Sequence, residues 1–297
     1  AAESVGNSNL GDLHVLLNSV IRVTFLAELT GTALLSTVFV PMFGPEGVYI
    51  SLFLAISSFC NAGFDVLGCI APFTSLTTFN GNFIVMFTVM TLIILGGLGF
   101  VVWRDLLGYP KTHKLMLHTR VVLLMTAILL VAGASGFLYA EWHNPATLGS
   151  MPMGERLTAA LFQSVTCRTA GFNSINLAEM TPGGTMLAIF LMFIGAAPGS
   201  TGGGIKVTTL AVLLMTVICV SRGREDTVIF HRRVQKNVVY KSLAILMMSM
   251  FAVVVVAVFV MSTISPSYGY SDLDCAFETV SAFSTTGLSV GVCQVPQ

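Results

Sequence analysis

Three short segments of this chain repeat one pattern: Ser58-Phe59-Cys60-Asn61-Ala62-Gly63-Phe64, Thr166-Cys167-Arg168-Thr169-Ala170-Gly171-Phe172 and Ala282-Phe283-Ser284-Thr285-Thr286-Gly287-Leu288. Each is a run of small or hydroxyl-bearing residues, then one glycine, then a bulky apolar residue. Counted from Gly63 to Gly171 and from Gly171 to Gly287, the spacings are about 108 and 116 residues, the mark of a tandem array. A polar, glycine-bearing element repeated inside a very apolar chain points to several strands of backbone lining one axis. That is the plan of a pore.

The solvent of this chain is lipid. Hydrophobic residues make up 55% of it, charged residues 9%, and mean hydropathy is +0.86, values that exclude an ordinary soluble domain. Apolar stretches of about 20 residues or more recur at 20–40, 83–102, 121–139, 185–220 and 238–264, each long enough to cross ~30 Å of hydrocarbon as a helix. Charges are concentrated in the connections. The expected fold is an all-α integral membrane protein of tandem helix–pore-loop–helix repeats.

Charge supplies the orientation. Of the 14 Lys and Arg, four fall in one internal linker (Arg104, Lys111, Lys114, Arg120) and six in a second (Arg222, Arg224, Arg232, Arg233, Lys236, Lys241). The opposite loops carry Glu46, Glu141, Glu155, Glu179, Asp272 and Asp274, with Arg156 the one basic exception. The positive-inside rule places the basic linkers in the cytoplasm, so the glycine segments enter from outside. A net charge of zero implies neither a nucleic acid nor an acidic partner. The six cysteines form no C-x-x-C pair and no metal-ligand spacing, and read as packing residues.

The repeating unit is an outer helix, a half-helix too short to span, the glycine segment and an inner helix. In the first unit the outer helix is expected over 20–40, stopped by Pro41, with the half-helix at 48–60; Pro72 and Asn80-Gly81 precede the inner helix. The second unit takes 121–139, 155–167, 168–173 and 184–220, and the third 238–264, 272–283 and 284–288. The units divide the chain as 1–108, 109–221 and 222–297. Residues 1–14 read as a connection cut partway, and the third unit lacks an inner helix, so the chain reads as a fragment.

Glycine at these places has a physical reason. Non-helical backbone at membrane depth is tolerated where it is buried in protein or lines water. Turning carbonyls toward an axis needs backbone angles that glycine adopts without a Cβ clash. A ring of such carbonyls replaces a cation's hydration shell, and the negative end of the preceding half-helix dipole favours the same charge.

These motifs, with Asp65 and Asn173 beside them, with Phe277-Glu278-Thr279-Val280-Ser281 ahead of the third, and with Gly195-Ala196-Ala197-Pro198-Gly199-Ser200-Thr201-Gly202-Gly203-Gly204-Ile205-Lys206-Val207, resemble the Trk/Ktr/HKT superfamily of potassium transporters, closest to the bacterial Ktr-type membrane subunit. The resemblance covers essentially the whole chain. It implies four units about a pseudo-fourfold axis, of which this sequence matches the second, the third and the front half of the fourth. It implies uptake of K⁺, with preference over Na⁺ and the coupling ion left open, across the bacterial plasma membrane by a multi-pass protein. It further implies no covalently bound cofactor, and a homodimer in membrane lipid on a cytosolic ring of nucleotide-binding regulatory subunits. The filter residues are then Asn61, Ala62, Gly63, Phe64, Arg168, Thr169, Ala170, Gly171, Phe172, Ser284, Thr285, Thr286, Gly287 and Leu288, with K⁺ at their backbone.

The stretch 195–204 interrupts an otherwise apolar inner helix. Five glycines at ~1 kcal/mol each and Pro198 at ~3 kcal/mol cannot stay helical there. A nucleotide-binding P-loop is excluded because no Lys directly follows Gly204 and no soluble strand precedes the run. In the resembled family this loop lies beneath the filter and gates it. Lys206 ends the break, where a buried charge is costly. A buried Arg168 calls for a carboxylate, which Asp65 or Glu278 could supply, bracing the filter.

Two other classes of function stand beside transport of a small cation. Gly133-Ala134-Ser135-Gly136 fits an intramembrane serine protease pattern, but all five His lie in or beside polar connections. Broken helices also build carriers for larger solutes. Three copies of one re-entrant element favour the narrow ion axis.

Overall fold

The structure, a computed structural model, describes residues 10–69, 74–224, 226–230 and 232–292. Pro72 and residues 1–9 lie outside the described residues, as do Cys293 and Gln297. Ten α-helices are found among the described residues, in the order α1 (Leu10–Phe43), α2 (Glu46–Phe59), α3 (Phe83–Gly97), α4 (Phe100–Thr112), α5 (Leu117–Glu141), α6 (Met153–Thr166), α7 (Pro182–Phe193), α8 (Val207–Ser221), α9 (Lys236–Tyr268) and α10 (Asp272–Phe283). A two-residue hairpin, β1 (Val228–Ile229) with β2 (Arg232–Arg233), sits between α8 and α9.

Three of these helices contain segments long and apolar enough to cross a membrane: Leu17–Phe43, Leu117–Glu141 and Lys236–Thr263. They are the outer helices of the three units. The half-helices α2, α6 and α10 have 14, 14 and 12 residues. At 1.5 Å per residue each reaches roughly 20 Å, short of the hydrocarbon thickness. Each packs on its own outer helix: α2 on α1, α6 on α5, α10 on α9. Small residues permit this. A Cβ on Gly47 would run into the Phe39 carbonyl, and one on Gly133 into Ser164 Oγ.

Two boundaries differ from the sequence expectation. Pro41 does not stop the first outer helix; α1 runs through it to Phe43. Its end is set by Gly44, which at φ 62° turns the chain and bonds back to the Val40 carbonyl (2.8 Å). The second difference is larger. The apolar run 83–102 is not one helix: α3 and α4 meet at 96°. Gly99 at φ 86° makes the corner, and Trp103 Nε1 spans it by donating to the Leu95 carbonyl (3.0 Å). By contrast, the expected break in the second inner helix is found, between α7 and α8.

The core forms in two large blocks, beside a small cluster of Val121, Ala211 and Ile229. One joins α1, α2 and α3 with Phe162, Val165, Ala170 and Phe172 of the second unit. The other joins α5, α6, α7 and the 195–207 region with Phe277, Val280 and Leu288 of the third. Each block is therefore sealed by the pore element of the next unit.

Candidate pore: three glycine segments over a broken helix

Each half-helix ends in the same backbone device. Asn61 (φ 51°), Thr169 (φ 71°) and Thr285 (φ 55°) take left-handed angles, and two residues on so do Gly63 (φ 72°), Gly171 (φ 87°) and Gly287 (φ 82°). A left-handed residue other than glycine costs roughly 1–2 kcal/mol, so three in register mark a conformation enforced by its surroundings. The enforcing groups are hydroxyls on the half-helices. Ser57 Oγ donates to the Phe64 carbonyl (2.7 Å), Thr166 Oγ1 to the Phe172 carbonyl (2.7 Å) and Ser281 Oγ to the Leu288 carbonyl (2.6 Å). The sequence motifs contain Thr166 and Ser281 but not Ser57 and assign none of them a role, although a hydroxyl five or six residues before each glycine is the signal.

The three segments meet. A Cβ on Gly63 would lie 2.5 Å from the Ala170 carbonyl oxygen and 2.9 Å from Gly171 Cα; a Cβ on Gly171 would strike the Thr286 carbonyl oxygen. Gly63 and Gly171 thus each abut the carbonyl just before the next glycine in the array. Gly287 meets no atom within 4 Å. The bulky residues follow the same arc: Phe172 and Leu288 are buried in the core of the preceding unit, while Phe64 is 70% exposed. Asn61, its amide nitrogen turned to the Ser58 and Ile93 carbonyls (3.2 and 3.3 Å), leaves its oxygen 3.4 Å from Thr169 Oγ1 in the second unit.

On one side of the glycines lies a cavity of about 730 Å³, whose lining includes Gly63, Gly171 and Gly287 with Asp65, Asn173 and Ser289. Its wall is tied across units, with the Leu76 N–H donating to the Asn173 carbonyl (3.0 Å) and the Asn173 N–H to Ser75 Oγ (3.2 Å). On the other side lies the 195–204 loop. Three consecutive residues reach one segment each. Thr201 Oγ1 donates to the Phe59 carbonyl (3.4 Å), Gly202 lies against Thr169 Oγ1, and Gly203 against Thr285 Oγ1 and the Ser284 carbonyl.

The loop is closed at its base, where the Ile205 N–H donates to Phe193 O (3.1 Å) and the Val207 N–H to Ala196 O (3.3 Å). It is held from the side by the corner of the first unit: the Ala197 N–H donates to Gly97 O and the Phe100 N–H to Gly199 O, both at 3.1 Å. A Cβ on Gly99 would lie 2.7 Å from Pro198 O, and Ser200 Oγ bonds back to Ala197 O (2.6 Å). Lys206 does not extend away; its Nζ donates to the Gly202 carbonyl at 2.6 Å, within the loop. Gly195 leaves room for the backbone of Gly203, and Gly204 turns the chain at φ 67°.

The expected carboxylate partners of Arg168 are not its partners. Arg168 is buried, and its Nη2 lies 3.4 Å from Thr126 Oγ1, with no ion pair among the described residues. Asp65 instead accepts the Leu67 N–H (3.0 Å), and Glu278 Oε1 accepts from Ser289 Oγ (2.6 Å) and the Val290 N–H (2.9 Å). Both carboxylates thus hold the backbone that leaves a glycine segment. Geometry explains the difference: Arg168 leaves the half-helix toward α5, away from the cavity that Asp65 lines. Ser135 donates into its own helix, to Val131 O and Ala132 O, so no protease site forms around it.

Glycine-bent backbone from three repeats, re-entrant half-helices and a broken inner helix define a pore-loop membrane protein. Residues 2–296 match the family model described as TrkH, cation transport protein, and the chain belongs to that family. It is 39% identical over 294 residues to the potassium/sodium uptake protein NtpJ of Enterococcus hirae, covering 98% of this chain and 63% of that one. It is also 39% identical over 296 residues to the Ktr system potassium uptake protein B of Vibrio alginolyticus, with the same coverages of 98% and 63%. The crystal structure of the potassium transporter TrkH from Vibrio parahaemolyticus matches its fold with a TM-score of 0.64 at 17% identity, over 88% of this chain and 53% of that one. The chain spans about 63% of the length of these curated relatives.

Proposed function

We propose that this chain carries three of the filter segments, and the gate, of a transporter that takes up potassium or a similar monovalent cation. The observation that carries the reading is the repeated pair of left-handed residues ending at Gly63, Gly171 and Gly287, stacked so that Gly63 and Gly171 each receive the carbonyl of the next segment. Backbone fixed in this way presents oxygens at a defined spacing, which replaces water around a desolvated cation. The half-helix C-terminal ends add partial negative charge at the same point. One glycine per segment enforces fewer carbonyl sites than a long filter, so discrimination between K⁺ and Na⁺ is moderate. With the basic linkers taken as cytoplasmic, the 730 Å³ cavity is read as the outer mouth of a plasma-membrane pore.

Closure of the ring falls to a fourth segment from the rest of the transporter, seated between Gly287 and Phe64. Phe172 and Leu288 each fill the core of the preceding unit, and Phe64 is the corresponding residue without such a core. Asp65 and Glu278 brace the chain beyond the filter.

The 195–204 loop is the gate. It sits under all three segments and is held by a few backbone hydrogen bonds, each worth about 1 kcal/mol net, so moderate forces on α8 can displace it. Gly195 and Gly204 are adjacent at its base, so removing 196–203 and joining them leaves α7 and α8 in place. Flux into proteoliposomes bearing the full-length transporter should rise on that deletion. A fall in flux at normal protein abundance would show that the loop supports the pore.

A further inference from the structure

At the end of the molecule carrying the basic linkers, a cavity of about 100 Å³ is lined by Lys114, Leu115, Leu117, Arg120, Phe230 and Arg232. Three cations from two separate parts of the chain converge there: Lys114 from the α4–α5 turn, Arg120 from the first turns of α5, and Arg232 from β2. No acidic side chain lines the cavity among the described residues. The nearby carboxylates are engaged elsewhere, Asp105 Oδ2 with the Met116 N–H (2.8 Å) and Asp226 with Arg233 (2.8 Å).

The frame of this cavity is fixed. His113 at φ 49° turns the chain after α4, and the Met116 bond to Asp105 fixes the entry to α5. The hairpin is anchored by Ile229, which packs with Val121 of α5 and Ala211 of α8, and by a 2.9 Å hydrogen bond between Thr216 and Thr227. The neutral half of the lining is apolar: Leu115, Leu117 and the ring of Phe230, which is 45% exposed. Leu117 opens the apolar span of α5 and packs against the Val121–Ala211–Ile229 cluster, so the cavity lies at the level where that span begins.

We infer that this cavity binds the phosphate headgroup of an acidic phospholipid, with Lys114, Arg120 and Arg232 on the phosphate and Leu115, Leu117 and Phe230 against the glycerol and the start of the acyl chains. The volume suits one phosphate-sized group, and cations without an ion pair among the described residues, beside an apolar step at a helix end, match a lipid better than a free anion. The inference rests on the membrane reading of the chain and is independent of the filter and the gate. Because the hairpin packs on α8, whose other end begins at Lys206, lipid at this point also steadies the lower half of the broken helix.

The test uses the full-length transporter in phosphatidylcholine nanodiscs containing a minor fraction of phosphatidylglycerol, with bound lipid read by native mass spectrometry. The combined variant Lys114→Gln, Arg120→Gln, Arg232→Gln should lose phosphatidylglycerol retention about tenfold or more. A second variant removing equal charge from the neighbouring surface, Arg222→Gln, Arg224→Gln, Lys236→Gln, should lose under about threefold. Equal losses in both variants would mean diffuse attraction and overturn the site. Displacement of the lipid by millimolar inorganic phosphate would overturn the lipid as the source. Unchanged lipid retention with loss of a co-purifying cytosolic protein would assign the cavity to a protein partner instead.

Discussion

The three glycine segments and the 195–204 loop both depend on glycine, but for two reasons in different proportion. At Gly63, Gly171 and Gly287 the residue is needed for a backbone angle, φ between 72° and 87°. Side-chain hydroxyls from the half-helices then lock that angle in place. At Gly195, Gly202 and Gly203 φ is not left-handed, and the residue is needed because a Cβ would occupy space already filled by Gly203 O, Thr169 Oγ1 or Thr285 Oγ1. The segments are held by conformation and locked by hydroxyls; the loop, which turns at Gly199 and Gly204, lies close mainly by absence of side chain. The first can hold an ion at fixed distance; the second can lie against it and still be withdrawn.

The difference makes substitutions behave differently. Gly171→Ala combines roughly 1–2 kcal/mol of backbone strain with a collision at the Thr286 carbonyl, and should abolish Rb⁺ uptake by the full-length transporter at unchanged protein level. Gly63→Ala should match it. Gly287→Ala carries the same backbone strain at φ 82° with nothing within 4 Å, and the proposed fourth segment at that edge predicts a defect as severe as the others; a mild defect would argue against ring closure there. Gly203→Ala has no such strain. The added methyl pushes the loop away from Ser284 and Thr285, so flux should rise several-fold, and a fall would make the loop part of the filter's support.

Smaller effects probe what holds each region. Phe100 is the first residue of α4, where proline is tolerated, so Phe100→Pro removes the bond to the Gly199 carbonyl and leaves the helix intact. Compared with Phe100→Ala, flux should rise about fivefold, the equivalent of roughly 1 kcal/mol; equal fluxes would show that the corner of the first unit does not restrain the gate. The smallest change is Thr166→Val, which removes the hydroxyl on the Phe172 carbonyl. Uptake should persist, with K⁺ over Na⁺ discrimination reduced about two- to threefold.

Much of this was legible in the sequence. The three half-helices, the glycine positions and the break after Phe193 follow from composition and spacing, because each needs residues that nothing else tolerates. The corner at Gly99 was hidden by apolar continuity: Leu95-Gly96-Gly97-Leu98-Gly99 carries three glycines yet stays hydrophobic throughout, so hydropathy runs straight across a 96° bend. The Arg168 partner was misassigned because charge pairing was argued without direction. Sequence separation cannot tell which side of the half-helix the guanidinium leaves from, and it leaves toward Thr126. The hydroxyl braces Ser57, Thr166 and Ser281 were missed because serine and threonine are common in any small-residue run, and their role depends on a carbonyl six or seven residues away.

The most direct measurement locates the ion. Crystals of the full-length transporter soaked in Rb⁺ should show an anomalous peak on the axis among Gly63, Gly171 and Gly287, held by backbone carbonyl oxygens of the three segments, and Gly171→Ala should remove it. A peak confined to the outer cavity beside Asp65, with none among the glycines, would contradict a carbonyl filter and assign cation binding to side chains.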